Sequence, residues 1–274
     1  MAELDLAELT AQSLARIRER TPLIHNITNF VVMNDTANVL LAIGASPVMA
    51  HAIEEIREMV SYASALVLNI GTLEERWIEA MLAAGEEANA RHIPVVLDPV
   101  GVGATGFRTA TTERIRSAVQ VAVVRGNAAE LATIAGLEAR IRGVDSVATG
   151  DPVSAARLTA IRFGGAAVVS GAVDYVADAT REAEVHNGHS MMSRITGSGC
   201  MATAIVGAFL AVEPDPFLAG LEATIAFGIA GELAAERSTG PGTFRGQLMD
   251  AVAALDEATI LARTRASVRE TEAA

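Results

Sequence analysis

Apolar and polar positions alternate along this chain in two rhythms, one of helices and one of buried strands. Leu6, Leu9, Leu14 and Ile17 fall roughly on one face of a helix that Pro22 stops. Residues from about Val31 to Ile43 read as a second helix, ended by Gly44. Ser46-Pro47-Val48-Met49 reads as a short strand, and Ile53, Ile56 and Met59 mark a short helix. Ala65 to Gly71 is continuously apolar, as in a strand covered on both faces. A helix from about Leu73 to Ala90 and the strand Pro94 to Asp98 follow. Then come a strand at Val121–Val124, a helix from about Ala128, a helix at Pro152–Phe163 and a strand at Ala166–Gly171. Tyr175–Asp178 and Glu184–Asn187 read as an antiparallel edge hairpin. An apolar helix after Cys200 leads to helices at about Phe217–Glu236 and Phe244–Leu261, and the last dozen residues are charged and expected to fray. Such alternation predicts an α/β fold with a parallel sheet. With no repeat and no long linker, residues 1–274 read as a single domain.

Composition narrows the function. Of 274 residues, 51% are hydrophobic and 20% charged, enough for a well-filled core. A net charge of −12 without a basic run argues against nucleic acid and acidic membranes as partners. An anionic substrate then needs local help from backbone amides, an arginine or a metal. The single cysteine excludes a disulfide framework within the chain and fits a reducing compartment. The charged N-terminus does not read as a signal peptide, and no apolar run reads as membrane-spanning. A cytoplasmic location is expected.

Polar residues gather where the strands end. In parallel sheets ligands bind beyond those carboxyl ends. Asp98 precedes Pro99-Val100-Gly101-Val102-Gly103, suiting a metal near phosphates or capping a turn. Arg125-Gly126-Asn127 leads to Glu130; Arg125 suits phosphate oxygens, whereas Asn127 and Glu130 also suit a helix start. Ser170-Gly171 ends another strand. Pro22 to Phe30 is too polar for a buried strand; its His25, Asn26, Thr28 and Asn29 suit a heterocyclic or alcohol ligand, or a turn with Asn29 capping the next helix. Met49 could pack on a flat ring or belong to the core. Ile195-Thr196-Gly197-Ser198-Gly199-Cys200 opens an apolar helix, whose N-terminus attracts anions and is expected to lower the Cys200 pKa. The other reading is a glycine-rich helix start with a structural cysteine. The glycine spacing matches neither a dinucleotide fingerprint nor a Walker loop.

Taken in order, Pro22 to Asn29, Asp98 to Gly103, Arg125-Gly126-Asn127 with Glu130, Val169-Ser170-Gly171 and Thr196 to Cys200 resemble the hydroxyethylthiazole kinases. These are thiamine-salvage enzymes of the ribokinase-like superfamily, and the similarity runs over nearly the whole chain. The resemblance implies a ribokinase-like α/β domain with a central, mostly parallel sheet flanked by helices on both faces. It implies transfer of the γ-phosphate of ATP to 4-methyl-5-(2-hydroxyethyl)thiazole with Mg²⁺, and a homotrimer with active sites between subunits. It places Arg125 and Ser170 at ATP, with Ser170 standing where threonine is usual. It places Asn26, Met49 and Gly197 at the thiazole, and Asp98 and Glu130 at the metal–phosphate end. Cys200 stands where wider relatives carry a catalytic aspartate, which makes it the candidate proton acceptor. Two rivals stay open: a ribokinase-like enzyme of other chemistry, such as a hydroxymethylpyrimidine kinase or a hydrate dehydratase, and a non-catalytic ligand-binding regulator.

Overall fold

The computed structural model describes residues 5–137 and 151–271. Asp5 caps α1 (Leu6–Arg20), its carboxylate accepting from the Ala7 and Glu8 amides. There follow β1 (Leu23–Ile27), α2 (Met33–Ile43), β2 (Ser46–Val48), α3 (Ile56–Ser61), β3 (Ala65–Asn69), α4 (Glu75–Ala90) and β4 (Val95–Asp98). Next are α5 (Gly106–Ala118), β5 (Val123–Asn127), α6 (Ala128–Ile134), α7 (Pro152–Phe163), β6 (Ala166–Ser170), β7 (Asp174–Ala177) and β8 (Arg181–Val185). A 3₁₀ turn (Ser190–Arg194) precedes α8 (Ser198–Leu210), α9 (Pro216–Glu236), α10 (Pro241–Ala254), α11 (Glu257–Arg263) and β9 (Ala266–Glu270).

Among the described residues one nine-stranded sheet runs in the order β2-β1-β3-β4-β5-β6-β7-β8-β9. Pairings from β2 through β6 are parallel, and those from β6 through β9 are antiparallel. Alternate strand residues face two separate cores. Val67 and Val96 join α1, α2 and α8–α11 on one side. Leu66, Leu68, Val95 and Leu97 join α3–α7 on the other. Helices therefore cover both faces of a mostly parallel sheet, as expected, and continuous apolar runs in the central strands are the consequence.

Five expectations need correction. Leu23–Ile27 is a strand despite its polarity, because it lies between β2 and β3 and one nitrogen of each polar side chain finds a backbone partner. His25 Nε2 lies 2.7 Å from the Ala50 carbonyl oxygen, and Asn26 Nδ2 donates to the Ile24 carbonyl at 3.0 Å. Nor does Asn29 cap α2: that helix starts from Val32 with no side-chain cap. The helix expected over Phe244–Leu261 is broken at Leu255, where φ −55° and ψ 132° leave the helical region, so α10 and α11 are separate. The chain end does not fray over its described part. Ala266–Glu270 pairs with β8 and covers the edge that the hairpin would have exposed; residues 272–274 lie outside the described residues. Finally, α9 is long and apolar enough to cross a membrane by length and composition, but 83% of its apolar window is buried within the fold. It is a core helix.

Candidate active site

From β1 the chain moves to β2 on one side and then crosses to β3 on the other. That reversal makes the carboxyl ends of β1 and β3 the switch point of the sheet, where open α/β folds bind ligands. Asn29, Asn69 and Asp98 stand there. Asn69 and Asp98 are paired in register at the ends of neighbouring strands.

Asp98 is 3% exposed. Its Oδ2 accepts from Asn69 Nδ2 at 2.7 Å and from Thr203 Oγ1, on α8, at 2.8 Å. Burial pushes its carboxyl up to about 6; Arg125 opposes the shift and Glu130 reinforces it. The group is thus ionised at neutral pH. Glu130 braces the loops beside it. One oxygen accepts from the Gly101 amide at 2.7 Å and the other from the Asn127 amide at 2.8 Å, while Asn127 caps α6 in return. Helix-start and functional readings of Glu130 are thus compatible, since each carboxylate oxygen keeps a second lone pair.

Cys200 lies in the first turn of α8 within reach of two amides: Asn69 Nδ2 at 3.2 Å and Asn29 Nδ2 at 3.5 Å. Its thiol does not follow the expectation. Burial pushes it up to about 11, and the negative charge of Asp98 adds to the shift. Desolvation and a neighbouring carboxylate outweigh the helix terminus, and Cys200 is a neutral thiol at pH 7.

Gly197 precedes α8 at φ 83°, the left-handed region that favours glycine. A Cβ there would come within 2.7 Å of Val32 Cγ1. With no side chain capping this helix, its first amides are available to an anion. Arg125 Nη1 donates to the Gly199 carbonyl at 3.0 Å, which sets the guanidinium beside the same turn. Arg125, Ser170, Asp174, Gly197, Gly199 and Phe227 line a cavity of about 840 Å³. Ser170 Oγ donates to the Gly126 carbonyl at 3.2 Å.

The fold therefore gathers Arg125, Ser170 and Gly197 on one cavity, and Asp98, Glu130 and Cys200 close to its α8 end. Asn26 and Met49 do not line that cavity. Asn26 is fully buried with no partner for its Oδ1, and Met49 is half-buried just beyond β2. Sequence reasoning missed Asn69 and Thr203, which hold Asp98, and Arg108. The guanidinium of Arg108 clamps the Ile70, Gly71 and Val100 carbonyls at 2.7, 2.6 and 2.5 Å. An asparagine closing a buried strand was the signal available for Asn69.

Among the described residues, no three His, Cys, Asp or Glu side chains form a metal-binding group. A divalent ion held by one or two carboxylates together with ligand phosphates is the arrangement that Asp98 and Glu130 fit. Both hydrogen bonds to Asp98 fall on Oδ2, so its Oδ1 stays open.

The model of the hydroxyethylthiazole kinase family matches residues 14–258. Hydroxyethylthiazole kinase of Desulforudis audaxviator (strain MP104C) is 53% identical over 246 residues, covering 89% of this chain and 90% of that protein. The structure of a hydroxyethylthiazole kinase protein from Pyrococcus horikoshii OT3 superposes with a TM-score of 0.88 at 45% identity, covering 97% of this chain and 100% of that one. A ribokinase-like superfamily protein from Enterococcus faecalis V583 shares the fold at a TM-score of 0.63 and 11% identity, covering 84% and 86% of the two chains. A helix start shaped for phosphate, an ionised buried aspartate beside it and this likeness over nearly the whole length agree: the chain belongs to the hydroxyethylthiazole kinase family.

Proposed function

We propose that this protein transfers the γ-phosphoryl group of ATP to the hydroxyl of 4-methyl-5-(2-hydroxyethyl)thiazole. The observation that carries the reading is the uncapped start of α8 with Arg125 beside it, opening on a cavity large enough for a nucleotide. Phosphoryl transfer asks mainly for positioning and charge neutralisation. Amides of Ser198, Gly199 and Cys200 would hold the transferring group, and Arg125 and Ser170 the polyphosphate. Asp98 and Glu130 would hold Mg²⁺, which neutralises phosphate charge when bound. The substrate oxygen forms its bond to phosphorus as the phosphorus–oxygen bond to ADP breaks, and the hydroxyl proton passes to an oxygen of the transferred phosphoryl group and from there to solvent. Cys200 would face that hydroxyl as a neutral thiol, a polar neighbour that orients it and not the base that removes its proton.

Gly197 would border the thiazole, with Asn26 and Met49 on its far side. Asn26 lies on β1 beside the edge strand β2, Met49 lies just beyond β2, and Phe30, Val31 and Ile53 are exposed, which supports a homotrimer with sites completed between subunits. A single domain and a cytoplasmic location complete the reading.

Purified protein with ATP, Mg²⁺ and the thiazole alcohol should form ADP and a thiazole phosphate identified by mass. Sedimentation should show a trimer. Absence of the ester, or faster turnover of a hydroxymethylpyrimidine, would overturn the assignment.

A further inference from the structure

Asn69 is 2% exposed at the end of β3. Each polar atom of its amide is engaged. Nδ2 donates to Asp98 Oδ2 at 2.7 Å and to Cys200 Sγ at 3.2 Å. Oδ1 accepts from Asn29 Nδ2 at 2.8 Å and from the Gly71 amide at 3.0 Å. A backbone N–H only donates and an ionised carboxylate only accepts, so these neighbours fix which way the amide points. Its base is fixed as well, because Arg108 clamps the carbonyls of Ile70 and Gly71.

We propose that Asn69 is the positioning residue of the phosphoryl-transfer site, turning Asp98 and Cys200 toward the reacting groups through one amide. The proposal rests on the phosphotransfer reading above. By taking up Oδ2 together with Thr203, Asn69 leaves Oδ1 of Asp98 as the face presented to Mg²⁺. By donating to Sγ, it keeps the sulfur as an acceptor within the protein and turns the S–H away toward the site. No other side chain bonds to both Asp98 and Cys200 among the described residues. Side chains that orient a metal-holding carboxylate change metal affinity or activity by about 10–100-fold when removed.

The test uses Asn69→Leu, Asn69→Asp and the exchange Asn69→Asp with Asp98→Asn. In the presence of ADP, Mn²⁺ affinity read by electron paramagnetic resonance should fall at least ~10-fold in Asn69→Leu. Its kcat should fall ~10²-fold, with KM for the thiazole within about threefold of the parent. The exchanged pair keeps one carboxylate and one amide in contact. It should recover thermal stability lost in Asn69→Asp yet remain ~10²-fold slow, because the charge sits on the wrong strand. Parent-like Mn²⁺ affinity in folded Asn69→Leu would overturn the proposal whatever the turnover, as would an exchanged pair as fast as the parent. If Asn69→Leu does not fold, Asn69→Asp decides. It keeps the acceptor half of the amide, so a lowered kcat at unchanged KM supports the role and parent-like kcat overturns it. The Mn²⁺ arm needs no turnover, so a parent inactive on the thiazole would count against the function and not against Asn69.

Discussion

Asp98 and Glu222 are carboxylates withdrawn from water to nearly the same degree, 3% and 1% exposed, at opposite kinds of place. Asp98 closes a strand at the switch point and receives donors from Asn69 and Thr203. Glu222 lies within α9, and neither of its oxygens has a hydrogen-bond partner of ordinary geometry. Burial raises both groups, Asp98 to about 6 and Glu222 to about 8. At pH 7 the first is charged and the second is neutral. Surroundings decide the difference: the Arg125 charge and then the donors Thr203 and Asn69 hold Asp98 down, whereas Ser13 and Arg16 at Glu222 are offset by Glu213 and Asp215.

The largest break in that comparison is Asp98→Asn. It preserves shape while deleting the charge that would face metal and phosphate. Turnover of the thiazole should fall by ~10³-fold, about 4 kcal/mol of transition-state stabilisation. Circular dichroism and sedimentation should match the parent. A folded variant within tenfold of the parent would show that the buried charge of Asp98 is no more functional than Glu222.

Glu222→Gln should act on stability alone. The carboxyl is raised from 4.5 to about 8 in the fold, so between those values the native state holds a proton that the unfolded chain has released. Parent stability therefore falls as pH rises through that window, and the penalty is complete above about pH 8. Arg16 and Ser13 on α1 pull against the shift, while Glu213 and Asp215 add to it. A shift this size corresponds to roughly 3 kcal/mol after allowance for relaxation. Denaturant melts at pH 5 and pH 9 should show the variant gaining about that much on the parent between the two. Equal pH dependence in both proteins would place the ionisation elsewhere. Turnover should not change.

The contrast also marks what a sequence can reveal. Asp98, Arg125, Glu130 and the Gly197–Cys200 turn were legible because chemistry-bearing residues stood where apolar strands stop, and the resemblance named their roles. The sheet and its two helical layers were legible from β3, β4 and β6, whose runs are apolar up to the last residue. Asn69 was not, since its importance lies in a register pairing with Asp98 that only the folded sheet creates. Leu23–Ile27 escaped because a strand read by apolarity cannot announce that His25 and Asn26 will find backbone partners. The pKa of Cys200 escaped for a related reason: the helix start is visible in sequence, the burial and the carboxylate beside it are not.

The smallest effect should be the most discriminating. Thr203 is fully buried, and its hydroxyl donates to Asp98 Oδ2 at 2.8 Å with the Gly199 carbonyl at 3.2 Å. Thr203→Val keeps the shape of the side chain and deletes that donor. Asp98 would then hold only the bond from Asn69, moving one step toward the poorly supported condition of Glu222. A hydrogen bond to a charged group contributes about 1.5–3 kcal/mol, but Asn69 still restrains the same oxygen, so we expect about 1 kcal/mol, or a loss of ~5–10-fold in kcat. Thermal stability should change little, because a charge that loses one donor beside Arg125 is still compensated. Combining Thr203→Val with Asn69→Asp should cost more than the sum of the two, since each alone leaves the other to hold Oδ2. If kcat is unchanged in Thr203→Val and the double variant is merely additive, the partners of Asp98 are not what separates it from Glu222, and position at the switch point alone accounts for the difference.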